Sequence, residues 1–87
     1  MFIIINMKLL NDMEILGQKI RKARKQRGLL QSDLAALVPT RRQVIGELER
    51  GNYRGSLSQA LSVLRAMGLR LTTEPVRFPT LEELSDE

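Results

Sequence analysis

The chain has 87 residues, 43% apolar and 28% charged, with 14 Lys and Arg against 10 Asp and Glu. That length supports one domain with a thin core, a size class that often gains further burial by oligomerising. It holds no Cys and no His, which excludes a disulfide framework, a thiolate metal site and an imidazole base or ligand. No metal or cofactor is expected. A lone Tyr53 and scattered carboxylates offer no nucleophile–base arrangement, so no catalytic residue is assigned and an enzyme is not expected. With only Phe2, Tyr53 and Phe78 as aromatics, a base-stacking platform for single strands is disfavoured.

The charge is unevenly placed. Lys19, Arg21, Lys22, Arg24, Lys25 and Arg27 succeed one another without an intervening acid, while Glu82, Glu83, Asp86 and Glu87 crowd the C-terminal end. A basic body points to a polyanionic partner, and an acidic tail to separate business.

In chain order, Met1 to Ile5 has an apolar start but no preceding basic residue and no cleavage site, so it does not read as a signal peptide. Phe2 to Ile5 has strand composition. Nowhere do about 18 apolar residues run together, and no membrane span is expected. From about Asp12 to Gln26 the spacing predicts a helix, with Leu16, Ile20, Ala23 and Arg27 on one stripe and Gly28 as its stop. A second helix is expected over Gln31 to Leu37, burying Leu34, Ala35 and Val38, before Pro39 breaks the chain. Thr40-Arg41-Arg42-Gln43 matches a capping box that starts a third helix. In that helix Ile45 and Leu48 face inward, and Gly51 ends it. A fourth begins at Ser56 as cap, buries Leu57, Ala60, Leu61 and Leu64, and ends at Gly68. Leu69, Leu71 and Thr73 then alternate with Arg70, Thr72 and Glu74 up to Pro75, the pattern of one short strand. A lone strand must pair, either with its copy in a second subunit or with Phe2 to Ile5. Thr80 to Leu84 has the pattern of one amphipathic turn.

Two short helices joined by a tight turn, the second rich in Arg and Gln, are the parts of a helix-turn-helix. Its second helix must present long, planar, bidentate side chains to the major groove: Arg suits guanine, Gln suits adenine. Arg41, Arg42 and Gln43 stand at the end that enters the groove.

Gly28-Leu29-Leu30-Gln31-Ser32-Asp33-Leu34-Ala35, with Arg41-Arg42-Gln43-Val44-Ile45-Gly46-Glu47-Leu48-Glu49-Arg50-Gly51, resembles the XRE-type repressors of phages and bacteria, over residues 16 to about 67. The continuation Met67-Gly68-Leu69-Arg70-Leu71-Thr72-Thr73 is similar to the HipB-like branch, whose short strand joins two subunits. The resemblance implies a mainly α, four- to five-helix, lambda-repressor-like domain followed by one C-terminal strand that pairs across a homodimer. It divides the chain into an N-terminal extension, strand or disordered (1–11), the helix-turn-helix domain (12–68), a dimerisation strand with Leu69, Leu71 and Thr73 (69–75) and an acidic tail (76–87).

By position, the resemblance assigns Gln31 to a backbone phosphate and to bracing the recognition helix. Arg42 and Gln43 fall where base edges are read, with Thr40 and Arg41 at the helix start. Glu47 lies one turn further along, and Asn52, Tyr53 and Arg54 lie in the loop along the phosphates, where Tyr53 either packs against the loop or touches DNA. Arg24 and Glu49 match a structural ion pair inside the domain. The chain departs from the family pattern in having Leu30 for a Thr or Ser cap, Pro39 for a turn Gly, and Arg41 for a hydroxyl cap, so that Thr40 is expected to take over the cap. The function implied is that of a repressor of its own operon, acting as antitoxin of a HipA-like Ser/Thr kinase in the bacterial cytoplasm. Its partners would be double-stranded operator DNA, a second copy of itself and the kinase. Competing readings are a protein-interaction module holding a partner enzyme, with DNA binding secondary, and a stand-alone regulator without a toxin.

Overall fold

The computed structural model describes residues 11–73 and Pro75. The expected strand at Phe2 to Ile5, the amphipathic turn at Thr80 to Leu84 and the acidic tail lie outside those residues. Four helices run in order: α1 (Asp12–Gln26), α2 (Gln31–Leu37), α3 (Arg42–Arg50) and α4 (Leu57–Ala66).

Local chemistry sets most of the ends. Asn11 caps α1, its Oδ1 accepting from the Glu14 N–H at 2.8 Å, while the Glu14 carboxylate accepts from the Asn11 N–H at 3.0 Å. That is a reciprocal capping box, with Asp12 and Glu14 suiting the positive end of the dipole. At the other end Gly28, Gly51 and Gly68 each adopt a positive φ, of 70°, 83° and 73°. After α1 the N–H of Gly28 bonds to Lys25 O and that of Leu29 to Arg24 O, a paired closure of the last turn that recurs after α4 through Gly68 and Leu69. At α2 the Asp33 carboxylate accepts from the Leu30 N–H at 2.8 Å, but a leucine has no acceptor to return the bond.

Ile20 of α1, Leu34 of α2, Ile45 and Leu48 of α3 and Val63 of α4 are fully buried, with Ala35, Ala60, Leu64 and Met67 around them. Each helix thus contributes to one core. Two sequence expectations need correcting. Leu57 is 64% exposed, because it opens α4 and points away from the core that Val63 fills instead. Arg27, expected on the inward stripe of α1, is exposed, and its Nη1 donates to Ala66 O at 3.1 Å at the C-terminal end of α4.

The C-terminal segment also differs from expectation: among the described residues no strand forms over 69–73. The Leu69 N–H is already spent on Leu64 O at 2.8 Å, so the first residue of the alternating run belongs to the helix stop. No second extended segment among the described residues pairs with 70–73, and Leu71 stays exposed. Arg70 to Thr73 instead line an open groove with Asp12, Ile15, Leu16 and Lys19 of α1.

α1 packs against α3, and Gly17 makes the close approach possible. A Cβ at that position would strike the carbonyl oxygens of Leu48 and Glu49 in α3, the latter at 2.7 Å. Those atoms are backbone and cannot swing aside. Gly17→Ala would gain helix propensity of at most about 1 kcal/mol but force the two helices apart. The expected net loss is about 2 kcal/mol, a fall in Tm on the order of 10 °C by thermal unfolding.

Candidate nucleic-acid interface

The link between α2 and α3 decides which side chains the second helix presents. Its turn closes through the Thr40 N–H to Ala35 O at 2.7 Å. The Thr40 hydroxyl does not cap α3: it accepts from Gln59 Nε2 of α4 at 2.8 Å. The Gln59 Oε1 lies 3.1 Å from the Tyr53 hydroxyl, which also stands 2.7 Å from Ser56 O, so two acceptors share one proton. This partly buried polar clasp fastens the turn, the α3–α4 loop and the start of α4 together. The expected capping box at Thr40 is therefore corrected. α3 starts at Arg42, and Arg41, with extended backbone (φ −88°, ψ 145°), holds the cap position without a side-chain bond. The first N–H groups of α3 are left without a side-chain cap at the end that carries Arg41, Arg42 and Gln43.

Ile45 and Leu48 of α3 are buried, and Arg42, Gln43 and Arg50 are exposed. Gln43 Nε2 donates to Glu47 Oε2 at 3.3 Å, so two of the expected base-reading side chains are already joined across one helical turn. Asn52 and Arg54 are exposed in the loop after α3, while Tyr53 between them is turned inward. Gln31, at the start of α2, is half-buried and its Nε2 donates to Glu49 Oε1 at 3.1 Å.

Glu49 is the centre of a second buried network. Arg24 Nε donates to Glu49 Oε2 at 2.6 Å and Nη2 to Oε1 at 2.9 Å, a two-pronged bond, while Nη1 donates to Leu29 O at 2.8 Å. The two side chains are 9% and 4% exposed. Donating these hydrogen bonds to Glu49 holds the pKa of the Arg24 guanidinium above its usual value, against the burial that alone would lower it. Through Gln31 and Arg24, one carboxylate of α3 thus fixes both α2 and α1.

Two of the six basic residues at 19–27 are therefore occupied internally, Arg24 with Glu49 and Arg27 with Ala66 O. Lys19, Arg21, Lys22 and Lys25 remain exposed to contribute long-range attraction. Arg50 is the exposed cation on α3 that sequence reasoning misses, because it stands in the closing Glu-Arg-Gly signature and not at the helix start. Its spacing of seven from Gln43 is the signal that could have found it.

Residues 20–73 match the family model for helix-turn-helix proteins. The chain belongs to the helix-turn-helix family. An uncharacterised HTH-type transcriptional regulator of Methanothermobacter thermautotrophicus is 47% identical over 49 residues, 56% of this chain and 71% of that protein. The restriction-modification controller protein C.AhdI of Aeromonas hydrophila, known from a crystal structure, is 34% identical with a TM-score of 0.61, over 68% of this chain and 89% of that one. With these relatives the helix-turn-helix reading replaces any enzymatic one, and no helix among the described residues is long and apolar enough to cross a membrane.

In this helix-turn-helix domain the Glu49 network is the part most open to test by substitution. Glu49→Gln keeps the shape but strands the Arg24 charge among buried groups, and Arg24→Met strands Glu49. Each single change is expected to cost about 3 kcal/mol or more. The double variant Arg24→Met with Glu49→Leu, having no unpaired charge, should recover a substantial part of that loss in denaturant unfolding.

Proposed function

We propose that this helix-turn-helix transcriptional regulator represses the operon that encodes it, binding as a homodimer with α3 of each subunit in the major groove of one half-site. The observation that supports it best is the two-sidedness of α3. Arg42 and Gln43 stand exposed at its uncapped N-terminal end while Ile45 and Leu48 of the same helix are locked in the core. Arg42 and Gln43 would read base edges, with Glu47 accepting from cytosine. Gln31, Thr40, Arg41, Asn52 and Arg54 would orient the domain on the phosphates. Half-sites would lie about one helical turn apart.

A fragment of the gene's own upstream DNA, titrated at several salt concentrations, tests this reading. Steep salt dependence is expected, and Arg42→Ala should weaken binding to the specific fragment roughly 10- to 100-fold while leaving weak binding to unrelated DNA. Equal binding by the variant and the wild type would remove α3 from the groove.

The dimer contact is assigned to Leu69, Leu71 and Thr73. The support is physical: Leu71 is exposed, and no described segment of the same chain pairs with the backbone beyond Leu69. The same strand of a second copy would supply that partner. The finer reading is that the repressor is also the antitoxin of a HipA-like kinase, which rests on the resemblance of Met67 to Thr73. A stand-alone regulator without a toxin is the second reading, favoured by the likeness to a controller protein. Leu71→Pro should shift the protein from dimer to monomer in analytical ultracentrifugation. Co-purification with the kinase and reversal of its toxicity would support the antitoxin reading, and their joint absence would leave the stand-alone regulator.

A further inference from the structure

The outward side of α3 is defined by what its inward side buries. With Ile45 and Leu48 in the core, a turn of 100° per residue puts Gln43 and Arg50 within about 20° of each other at the middle of the opposite face. They are about 10 Å apart along the axis, and Gly46 lies between them. A Cβ at Gly46 would come within 3.0 Å of Arg50 Nη1 and 3.8 Å of its Cζ and Nη2, the three nearest atoms all belonging to that side chain. The Arg50 guanidinium therefore lies over the glycine backbone one turn before its own Cα and covers it, and Gly46 is buried. The side chain runs back toward Gln43 and does not leave past the C-terminal end of the helix.

Two further features bear on this side chain. Arg24 and Arg27 are each bonded to protein acceptors, but Arg50, exposed, forms no hydrogen bond or ion pair with the other described residues. Among the described residues its planar set of N–H donors meets no acceptor. Gly46, for its part, weakens the helix interior where it stands. At Gly17 the neighbouring helix backbone demands a glycine, whereas at Gly46 the nearest group in the way is the movable end of Arg50.

We propose that Arg50 is a specificity-determining residue that reads a guanine, donating to its O6 and N7 from the position that Gly46 keeps open. This extends the base-reading stripe beyond Arg42 and Gln43, and it rests on the reading that α3 enters the major groove. Gly46 acts through Arg50 as a positioning residue: its missing side chain leaves the space over the helix that Nη1 of the guanidinium enters first.

The test selects duplexes from a pool with a fully randomised centre, using wild type, Arg50→Ala, Arg50→Lys, Gly46→Ala and the double variant of Gly46→Ala with Arg50→Ala. Arg42→Ala serves as the control for α3 itself. Wild type should enrich a guanine whose replacement weakens binding about 10-fold, and Arg50→Ala should lose that preference at one base pair while keeping the rest. Arg50→Lys should keep the salt slope but not the preference, since an ammonium cannot bond in bidentate fashion. Gly46→Ala should blunt the preference although the domain melts at a higher temperature, which separates the effect from unfolding. In the Arg50→Ala background the Gly46 change should leave selectivity untouched. The proposal is overturned if Arg50→Ala weakens all duplexes alike and lowers the salt slope by about one, the mark of a phosphate contact. It is overturned equally if Gly46→Ala acts independently of Arg50. If wild type enriches no sequence, or Arg42→Ala enriches the same sequences as wild type, the groove reading fails and the Arg50 assignment falls with it.

Discussion

A carboxylate shared between an arginine and a glutamine holds three helices in register. Glu49 receives two bonds from Arg24 of α1 and one from Gln31 of α2. Because Glu49 sits on α3, this group joins buried Ile45 and Leu48 in setting the direction in which that helix projects its outer face. Burying such a charge is costly unless every lone pair and proton finds a partner. Here Arg24 also spends its remaining prong on Leu29 O, so the network is closed on the arginine side. A hydrophobic replacement could match its stability but not its directionality. An apolar contact resists separation, whereas three convergent hydrogen bonds also resist rotation of α3 about its axis. Arg42, Gln43 and Arg50 are exposed on that helix, and its rotation is the motion that would re-aim them.

The same helix is held at its two ends by different means. At the C-terminal end Gly51 turns with φ 83°, and a Cβ there would meet Glu14 at 2.7 Å, so the start of α1 packs directly on the turn. Glu14 is itself fixed by its bond to the Asn11 N–H, which ties the capping of one helix to the ending of another. At the N-terminal end the clasp of Thr40, Gln59 and Tyr53 sets the turn from α4. α3 contributes little to its own ends: its N-terminus has no side-chain cap, and its interior contains a glycine. Its placement comes from tertiary contacts, as expected for a helix of nine residues.

How much of this is legible in the sequence depends on how local each interaction is. The four helices and the glycine stops of three of them depend on neighbours within a few residues, and spacing and capping chemistry locate them closely. The start of α3 does not obey that logic. Thr40 and Gln43 have the right types at the right spacing for a capping box, but Gln59, nineteen residues away, takes the threonine hydroxyl, and no local pattern encodes that competition. Arg24 and Arg27 show the same difficulty in the basic run. Periodicity puts Arg27 on the inward stripe, yet Arg24 is the one buried, because only a carboxylate on another helix makes its burial tolerable. The alternation from Leu69 to Thr73 is a true feature of the sequence, but a strand is a property of two chain segments, and one of the two is not visible in the pattern itself.

The two interior glycines of the helices show how tight packing and a side-chain bed ask for the same residue on opposite grounds. At Gly17 the absent side chain lets α1 and α3 approach until backbone nearly meets backbone, and the contact stabilises the domain. At Gly46 the covering atoms are those of a single flexible side chain, and by propensity alone an alanine would be preferred there by about 1 kcal/mol. A helix interior that keeps such a residue away from the core gives up stability where the far end of Arg50 is the group that accounts for it. The uncapped start of the same helix is a second concession on the same face, since a side-chain cap is typically worth about 1 kcal/mol. The first leaves the Arg50 guanidinium on the side of α3 opposite Ile45 and Leu48, and the second leaves the helix start, beside Arg41 and Arg42, without a side-chain acceptor. Donors without an acceptor among the described residues are the chemistry that the base edges and phosphates of a duplex can satisfy, which is the physical basis of the proposed groove contact.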